Sequence, residues 1–276
     1  MSASGGVAVD GGELRWDAAG DGPPVLLIQG VGAAGCTWRP QVEGLRHDFR
    51  CVTFDNRGVG GTTAPVGAPT IEAMAEDALR VMDAQGWSSA HVAGHSMGGL
   101  IAQAVAIAAP DRVRSLALLN TFAQGTQGAR ADLSVMWLGA RMRFGGQRGR
   151  RRAGLRMIFP DAYLATRDLD ELHDEVAAIF GRDVAAQPAV VMKQLRAMGA
   201  YDPRPHAPAI AHLPALVLTG DADRIAKPEH SRELAARFDV EAILLEGTGH
   251  ASTIQRAELV NTKLSEHWHT AESALR

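Results

Sequence analysis

The pentapeptide Gly-His-Ser-Met-Gly at residues 94–98 lies between a short apolar run and a run of helix-forming residues. This order of strand, sharp turn and helix constrains the fold strongly, because the turn requires glycine where a side chain would collide with neighbouring backbone. The same turn lifts the hydroxyl of its central residue, Ser96, clear of the sheet. The motif therefore predicts a nucleophilic serine at a strand-to-helix turn.

Short apolar runs recur along the chain, at residues 25–28, 51–54, 91–93, 116–119, 215–218 and 242–245. They are continuous rather than alternating, which predicts strands buried on both faces. Helical patterns separate them, at residues 71–85, 96–109, 228–238 and 257–267. This alternation predicts an α/β fold with a mostly parallel, doubly wound sheet. A turn signal at residues 10–12 predicts an antiparallel hairpin at one sheet edge.

The strand rhythm stops between residues 122 and 205, where helical patterns take its place, at residues 133–144, 150–157, 168–180 and 189–198. We therefore expect a core formed by residues 1–121 and 206–276, with a helical cap inserted at residues 122–205. Cavities commonly form where two such layers meet. The substrate pocket is accordingly predicted between the cap and the sheet.

Composition excludes several classes of function. A net charge of -3 over 276 residues gives no electrostatic reason to expect nucleic acid or an anionic membrane as a partner. No segment approaches the roughly 20 uninterrupted apolar residues that span a bilayer. Two cysteines and an N-terminus without a basic, then apolar, leader predict a cytoplasmic protein. The histidines and acids show no metal-ligand spacing, so neither a metal nor a cofactor is expected.

A serine hydroxyl needs a base to remove its proton, and the imidazole that does so needs a carboxylate partner. Two later strand-to-loop transitions carry such groups. The first, at residues 216–225, contains two aspartates, Asp221 and Asp223, and the second ends in His250 after a Gly-x-Gly turn. The chain order of serine, aspartate and histidine is that of a catalytic triad following a G-x-S-x-G turn.

With these motifs the chain resembles the α/β-hydrolase superfamily over nearly its whole length. The resemblance implies that Asp223, the later carboxylate of a G-x-x-D pattern, is the catalytic acid and that His250 is the base. It also implies that His95 packs beneath the serine. Some relatives place the acid one strand earlier, where this chain has the uncharged Asn120.

Acyl transfer also requires N–H donors for the developing oxyanion. We expect them from the backbone amides of Met97, directly after the serine, and of Val31, in the loop at residues 29–32. Many relatives have His-Gly in this loop, where the present chain has Gln29 and Gly30. We expect substrate contacts from Gly30, Trp38 and the cap residue Trp137, although both tryptophans are equally compatible with places in the core.

Two charged segments invite functional interpretations. Seven arginines lie between residues 141 and 156 with no acid among them, and several acids follow between residues 161 and 175. This arginine-rich segment could steer a carboxylate, but mutual neutralisation with those acids is favoured. The turn at residues 55–60 resembles a D-x-R-G-x-G turn of the superfamily, which implies a structural role through a bond between Asp55 and Arg57.

The sequence thus predicts a serine hydrolase that cleaves a small carboxylic ester or lactone through an acyl-enzyme on Ser96. Segments 38–42, 55–60, 70–72 and 96–99 resemble small bacterial esterases and 3-oxoadipate enol-lactonases. Two alternatives remain open: a hydrolase that cleaves a carbon–carbon bond of ring-cleavage products, and a ligand receptor with slow turnover. Haloalkane dehalogenases and epoxide hydrolases are disfavoured because those relatives have an aspartate at the position of Ser96.

Overall fold

The computed structural model describes residues 2–129 and 132–275. Its strands are β1 (Ser2–Val9), β2 (Gly12–Ala19), β3 (Pro24–Ile28), β4 (Arg50–Phe54), β5 (Ala90–His95), β6 (Val113–Leu119), β7 (Ala215–Gly220) and β8 (Ile243–Leu245). These described strands form one sheet in the order β1-β2-β4-β3-β5-β6-β7-β8. β2 pairs antiparallel with β1 and β4, and every other neighbouring pair is parallel. The predicted doubly wound sheet with an edge hairpin is confirmed.

The helices are α1 (Arg39–Leu45), α2 (Ile71–Ala84), α3 (Met97–Ala108), α4 (Gly125–Ala129), α5 (Leu133–Phe144), α6 (Gln147–Ile158), α7 (Asp161–Leu164), α8 (Leu169–Phe180), α9 (Val191–Ala200), α10 (Pro228–Ala236), α11 (Ser252–Gln255) and α12 (Ala257–Ala274). The sequence patterns did not predict α1, and α12 continues past the predicted end at His267. Within residues 2–129 and 132–275, no helix is long and apolar enough to cross a membrane.

The continuous apolar runs have the predicted two-sided burial. On β3, Leu26 and Ile28 belong to the core cluster on one face of the sheet, while Val25 and Leu27 belong to the cluster on the other. All four side chains are fully buried. Each such residue contributes about 1.5–3 kcal/mol of hydrophobic free energy on burial. The sheet is thus covered on both faces.

Helices α4 to α9 lie between β6 and β7 in the chain. Helices α6 to α8 have a small apolar cluster of their own, which includes Leu155, Phe159, Leu172 and Val176. Ala251, from the loop that follows β8, belongs to the same cluster. These helices therefore pack against the loops at the carboxyl end of the sheet.

The turn at residues 55–60, which follows β4, is stabilised by contacts other than the predicted one. Arg57 makes a bidentate ion pair with Asp77 of α2, with N···O distances of 2.7 and 2.8 Å. Asp55 accepts hydrogen bonds from the backbone amides of Gly35 and Gly61 instead. The predicted bond between Asp55 and Arg57 is wrong, because the carboxylate is already satisfied by amides of the folded loops.

Candidate active site

Ser96 occupies the junction between β5 and α3 with φ 56° and ψ −123°. A positive φ is rare for a residue with a side chain and marks backbone strain that is characteristic of functional sites. A Cβ atom at Gly98 would lie 2.0 Å from the carbonyl oxygen of Ile28, and one at Gly94 would lie 2.2 Å from the carbonyl oxygen of Gly98. Both glycines are therefore required for the sharp turn.

Asp223 and His250 lie in the loops that follow β7 and β8. His250 Nδ1 lies 2.8 Å from Asp223 Oδ2, and the other carboxylate oxygen accepts the amides of Ile225 and Ala226. Because the carboxylate accepts, Nδ1 donates, and Nε2 remains available as a base. The second acid of the β7 loop, Asp221, instead lies near a backbone amide after β8.

Asn120, at the end of β6, also contacts the acid. Its Nδ2 donates to Asp223 Oδ2 at 2.8 Å and to the carbonyl of Gly249 at 3.2 Å, and its Oδ1 accepts from the hydroxyl of Ser252. Sequence reasoning considered Asn120 only as a position for a missing acid. The signal for a supporting role was its place at the end of a strand adjacent to β7.

His95 contacts both the backbone and the ring of His250. Its Nε2 donates to the carbonyl oxygen of His250 at 2.8 Å, and the two ring centroids are 4.9 Å apart. Burial lowers the pKa of His95 to about 4, with a further contribution from neighbouring His250. His95 is consequently neutral at physiological pH, and its Nε2 proton is committed to the backbone carbonyl of His250.

Ser96 and His250 both line a cavity of about 210 Å³ beneath the cap helices. The two side chains form no direct hydrogen bond in the part of the chain that the structure describes. Catalytic hydrogen bonds commonly tighten only when substrate is bound. The walls of the cavity are mainly apolar and include Phe122, Met142, Met157, Ile158, Phe180, Leu195, Met198 and Ile254.

The loop at residues 29–32 lies directly against the serine. A Cβ atom at Gly30 would lie 3.0 Å from Ser96 Cβ, and both Gly30 and Val31 line the cavity. Met97 is the first residue of α3, and amides in the first turn of a helix have no partner within it. Of the two residues expected to supply oxyanion donors, Met97 thus follows Ser96 directly, and Val31 lines the same cavity as Ser96.

The same loop is braced by the cap rather than by its own side chain. Gln29 is buried, and neither of its side-chain amide atoms has a hydrogen-bond partner among the described residues. The amide of Gly32 instead donates to Oε1 of Gln194 on α9 at 2.7 Å, and the carbonyl of Gly32 accepts from Arg182 at 2.8 Å. Sequence reasoning missed both cap residues.

The two tryptophans have different environments. Trp38 is only 2 % exposed and lines the cavity, whereas Trp137 is 53 % exposed on α5 and lies outside the cavity lining. The guanidinium of Arg141 lies 4.9 Å from the Trp137 ring. Helix α5 buries Leu138 and Met142 instead. The expectation that Trp137 contacts substrate in this cavity is therefore corrected, because α5 turns that side chain outward.

Among the described residues, three of the seven arginines in the arginine-rich segment form ion pairs with acids later in the chain. Its ion pairs are Arg148 with Asp170, Arg151 with Asp183, and Arg156 with Asp161. None of the seven arginines lines the cavity. Among the residues that the structure describes, no group of three or more His, Cys, Asp or Glu side chains is placed to hold a metal ion.

Comparison with known proteins places this geometry in context. Residues 23–257 match the family model described as the alpha/beta hydrolase fold. A protein named "Putative carbamate hydrolase RutD" from Agrobacterium fabrum is 30% identical over 254 residues, which cover 88% of this chain and 92% of that protein. A protein of the same name from Azorhizobium caulinodans is 42% identical over 112 residues, which cover 41% of this chain and only 42% of that protein.

The comparison extends to solved structures. The crystal structure of the enol-lactonase from Burkholderia xenovorans LB400 superposes with a TM-score of 0.79 and 30% sequence identity. The superposition covers 96% of this chain and 100% of that one. The similarity thus includes both the sheet and the helices above it.

Proposed function

Because this chain belongs to the α/β-hydrolase family, we propose that it is a serine hydrolase that cleaves a small carboxylic ester or lactone through an acyl-enzyme on Ser96. The observation that carries the proposal is the pair of His250 and Asp223, joined at 2.8 Å, beside a strained serine in one apolar cavity. In this proposal residues 1–121 and 206–276 supply the catalytic groups. The cap at residues 122–205 supplies about half of the residues that line the cavity.

In the first half-reaction, Ser96 Oγ attacks the substrate carbonyl while His250 Nε2 takes the hydroxyl proton. Asp223 stabilises the resulting imidazolium without itself becoming protonated. The amides of Val31 and Met97 donate to the oxyanion, and one such donor is typically worth about 3 kcal/mol of barrier. His250 then returns the proton to the leaving alcohol oxygen, which departs from an ester and remains attached to the acyl chain of a lactone.

In the second half-reaction, water attacks the acyl-enzyme. His250 removes a proton from the water, and the same two amides stabilise the second oxyanion. Collapse of this intermediate releases the carboxylic acid and returns the proton to Ser96. The net change is insertion of one water molecule across the carbon–oxygen bond of the ester or lactone.

The dimensions of the cavity support a small substrate. Its volume of about 210 Å³ lies below the roughly 300–1,000 Å³ of typical ligand pockets. One relative is named an enol-lactonase and another a carbamate hydrolase, and these names favour a small acyl compound. Carbamates therefore belong in the substrate panel beside esters and lactones.

The test combines active-site labelling with a substrate panel. A fluorophosphonate probe is expected to label the wild type and Ser134→Ala, a control at an exposed serine, but not Ser96→Ala, and His250→Ala should label far more slowly. Undiminished labelling of Ser96→Ala would overturn the proposal. The panel contains simple esters, lactones, carbamates and a ring-cleavage dienone.

The panel also separates the alternatives. Exclusive turnover of the dienone would favour carbon–carbon bond hydrolysis. A single slow turnover accompanied by strong ligand-induced thermal stabilisation would favour a receptor. Sustained hydrolysis of an ester or lactone supports the proposed activity.

A further inference from the structure

We propose that Arg182 selects substrates that carry a carboxylate in addition to the ester or lactone group. This inference rests on the proposed function and specifies its substrate class. Arg182 lies just after α8 and lines the same cavity as Ser96 and His250. In the described lining of that cavity it is the one side chain with a permanent charge, and no aspartate or glutamate accompanies it.

Among the described residues, the guanidinium donates hydrogen bonds only to neutral oxygens, and its Cζ lies 6.0 Å from the centroid of the Phe180 ring. Nη2 donates to the carbonyl of Gly32 at 2.8 Å, and Nη1 donates to the carbonyls of Asp183, at 3.2 Å, and Ala186. These bonds occupy three of the five N–H groups of an arginine. Within residues 2–129 and 132–275, Arg182 has no carboxylate in ion-pair contact. Its Nε and one Nη2 hydrogen therefore remain for a ligand.

The nearest acid in sequence is engaged elsewhere. The carboxylate of Asp183 accepts from His173, from Arg151 and from the amide of Ala185. Partial burial of a guanidinium is costly, and burial lowers the pKa of Arg182 although the neighbouring carboxylate of Asp183 acts in the opposite direction. A carboxylate entering the cavity would supply the missing counter-charge through charge-assisted hydrogen bonds.

Arg182 contacts the same loop that lies against Ser96, where the reacting carbonyl of a substrate would bind. Arg182 binds the carbonyl of Gly32, and Gly30 of the same loop lies against Ser96. A substrate whose carbonyl oxygen lies at the amides of Val31 and Met97 would direct its carboxylate along this loop towards the guanidinium. Half-esters of dicarboxylic acids and carboxylated lactones have this chemistry. Water adds across their ester bond, and the product carries two carboxylates.

The test compares two esters that differ in one charge. Monomethyl adipate carries a terminal carboxylate, and methyl adipamate carries a neutral carboxamide of the same shape. We expect the wild type to prefer monomethyl adipate by roughly 10-fold or more in kcat/KM, because a charge-assisted hydrogen bond is worth that factor. Monomethyl succinate and monomethyl glutarate have shorter chains between the ester and the carboxylate. Their kcat/KM values report which spacing best fits the distance between Ser96 and Arg182.

Variants assign the preference to the side chain. Arg182→Gln should reduce the ratio of the two kcat/KM values to about 1, Arg182→Lys should retain part of it, and the cap-surface control Arg156→Gln should retain all of it. Because Arg182 also braces the loop, its loss should lower turnover of both esters. The ratio is therefore the readout that a merely structural role would not change.

A binding measurement covers the case in which neither ester is turned over. In the wild type, adipate should slow fluorophosphonate labelling of Ser96 more than adipamide does. In Arg182→Gln, adipate and adipamide should slow the labelling equally. Equal protection in the wild type, or a preference that persists in Arg182→Gln, would overturn the inference. Failure of the probe to depend on Ser96 would instead overturn the proposed function, so the two failures are distinguishable.

Discussion

Asn120 donates a 2.8 Å hydrogen bond to Asp223 Oδ2, the same carboxylate oxygen that accepts from His250. Asn120 has φ 46°, a left-handed conformation that asparagine tolerates better than most residues. The hydroxyl of Ser252, after the β8 loop, holds its other amide atom. The orientation of the acid is thus fixed jointly by the segments that follow β6, β7 and β8.

Asn120→Leu keeps the approximate size of the side chain and removes the donor. We expect kcat to fall about tenfold with little change in KM, because a hydrogen bond to a charged group is typically worth about 1.5 kcal/mol or more. Steady-state kinetics with a turned-over ester measure the split, and thermal melting confirms that the variant is folded. Wild-type kcat in a folded Asn120→Leu would refute a positioning role.

Asn120→Asp replaces the amide that contacts Asp223 with a second carboxylate. Two adjacent carboxylates resist simultaneous ionisation, so the acidic limb of the kcat/KM profile should move to higher pH. The buried pair of like charges should also lower the melting temperature. An acidic limb identical to that of the wild type would show that residue 120 does not influence Asp223.

Gly98→Ala tests the requirement for glycine in the serine turn. The added Cβ would meet the backbone oxygen of Ile28 at 2.0 Å, and backbone cannot yield as a side chain does. We expect a loss of at least about 2 kcal/mol in the free energy of unfolding, measured in urea. Gly139→Ala is the matched control, because no described atom outside the local helix backbone lies within 4 Å of its added Cβ and alanine favours helix α5 by about 0.5–1 kcal/mol. Equal stability of the two variants would contradict this account.

The sheet and the three proposed catalytic side chains were predictable because each signal is local. Ser96, Asp223 and His250 each follow an apolar run that ends in a turn, and parallel strands bring such turns to one edge. Arg182 and Gln194 gave no such signal, since they reach residue 32 from 150 and 162 positions away. Only the folded cap makes those contacts.

Trp137 illustrates another limit of sequence patterns. Apolar side chains occur on several sides of α5, so the pattern does not identify the face that packs inward. The structure buries Leu138 and Met142 and leaves Leu133 and Phe144 more than 80 % exposed. Contacts with α6 determine which face of α5 is buried. The periodicity of the sequence carries no information about those contacts.

Gln194→Met tests the hydrogen bond between helix α9 and the loop at residues 29–32, which is expected to supply an oxyanion donor. The substitution preserves length and removes the acceptor of the Gly32 amide, which is 2.7 Å away in a buried environment. We expect kcat to fall about tenfold and KM to change much less, because a loosened loop mainly weakens oxyanion stabilisation. Gln194→Glu restores an acceptor and should recover part of the rate. A loss confined to KM would indicate a role in substrate binding instead.

Acid stability should depend on buried histidines, of which His267 on α12 is the most separable from the candidate site. Burial lowers its pKa to about 4, against about 6.5 in an unfolded chain. Between these values the unfolded chain binds a proton that the folded chain does not. The contribution of the neutral His267 imidazole to the free energy of unfolding is therefore fully present above about pH 6.5. It decreases as the pH falls towards 4, by at most about 3 kcal/mol.

His267→Gln should consequently flatten the pH dependence of the free energy of unfolding between about pH 7 and pH 4, as measured by urea titrations. Some slope should remain, because burial also lowers the pKa values of His91 and His95 to about 4. His212→Gln, at an exposed position, is the matched control. If His267→Gln and the control show the same slope as the wild type, the imidazole of His267 does not titrate between the two states in this range.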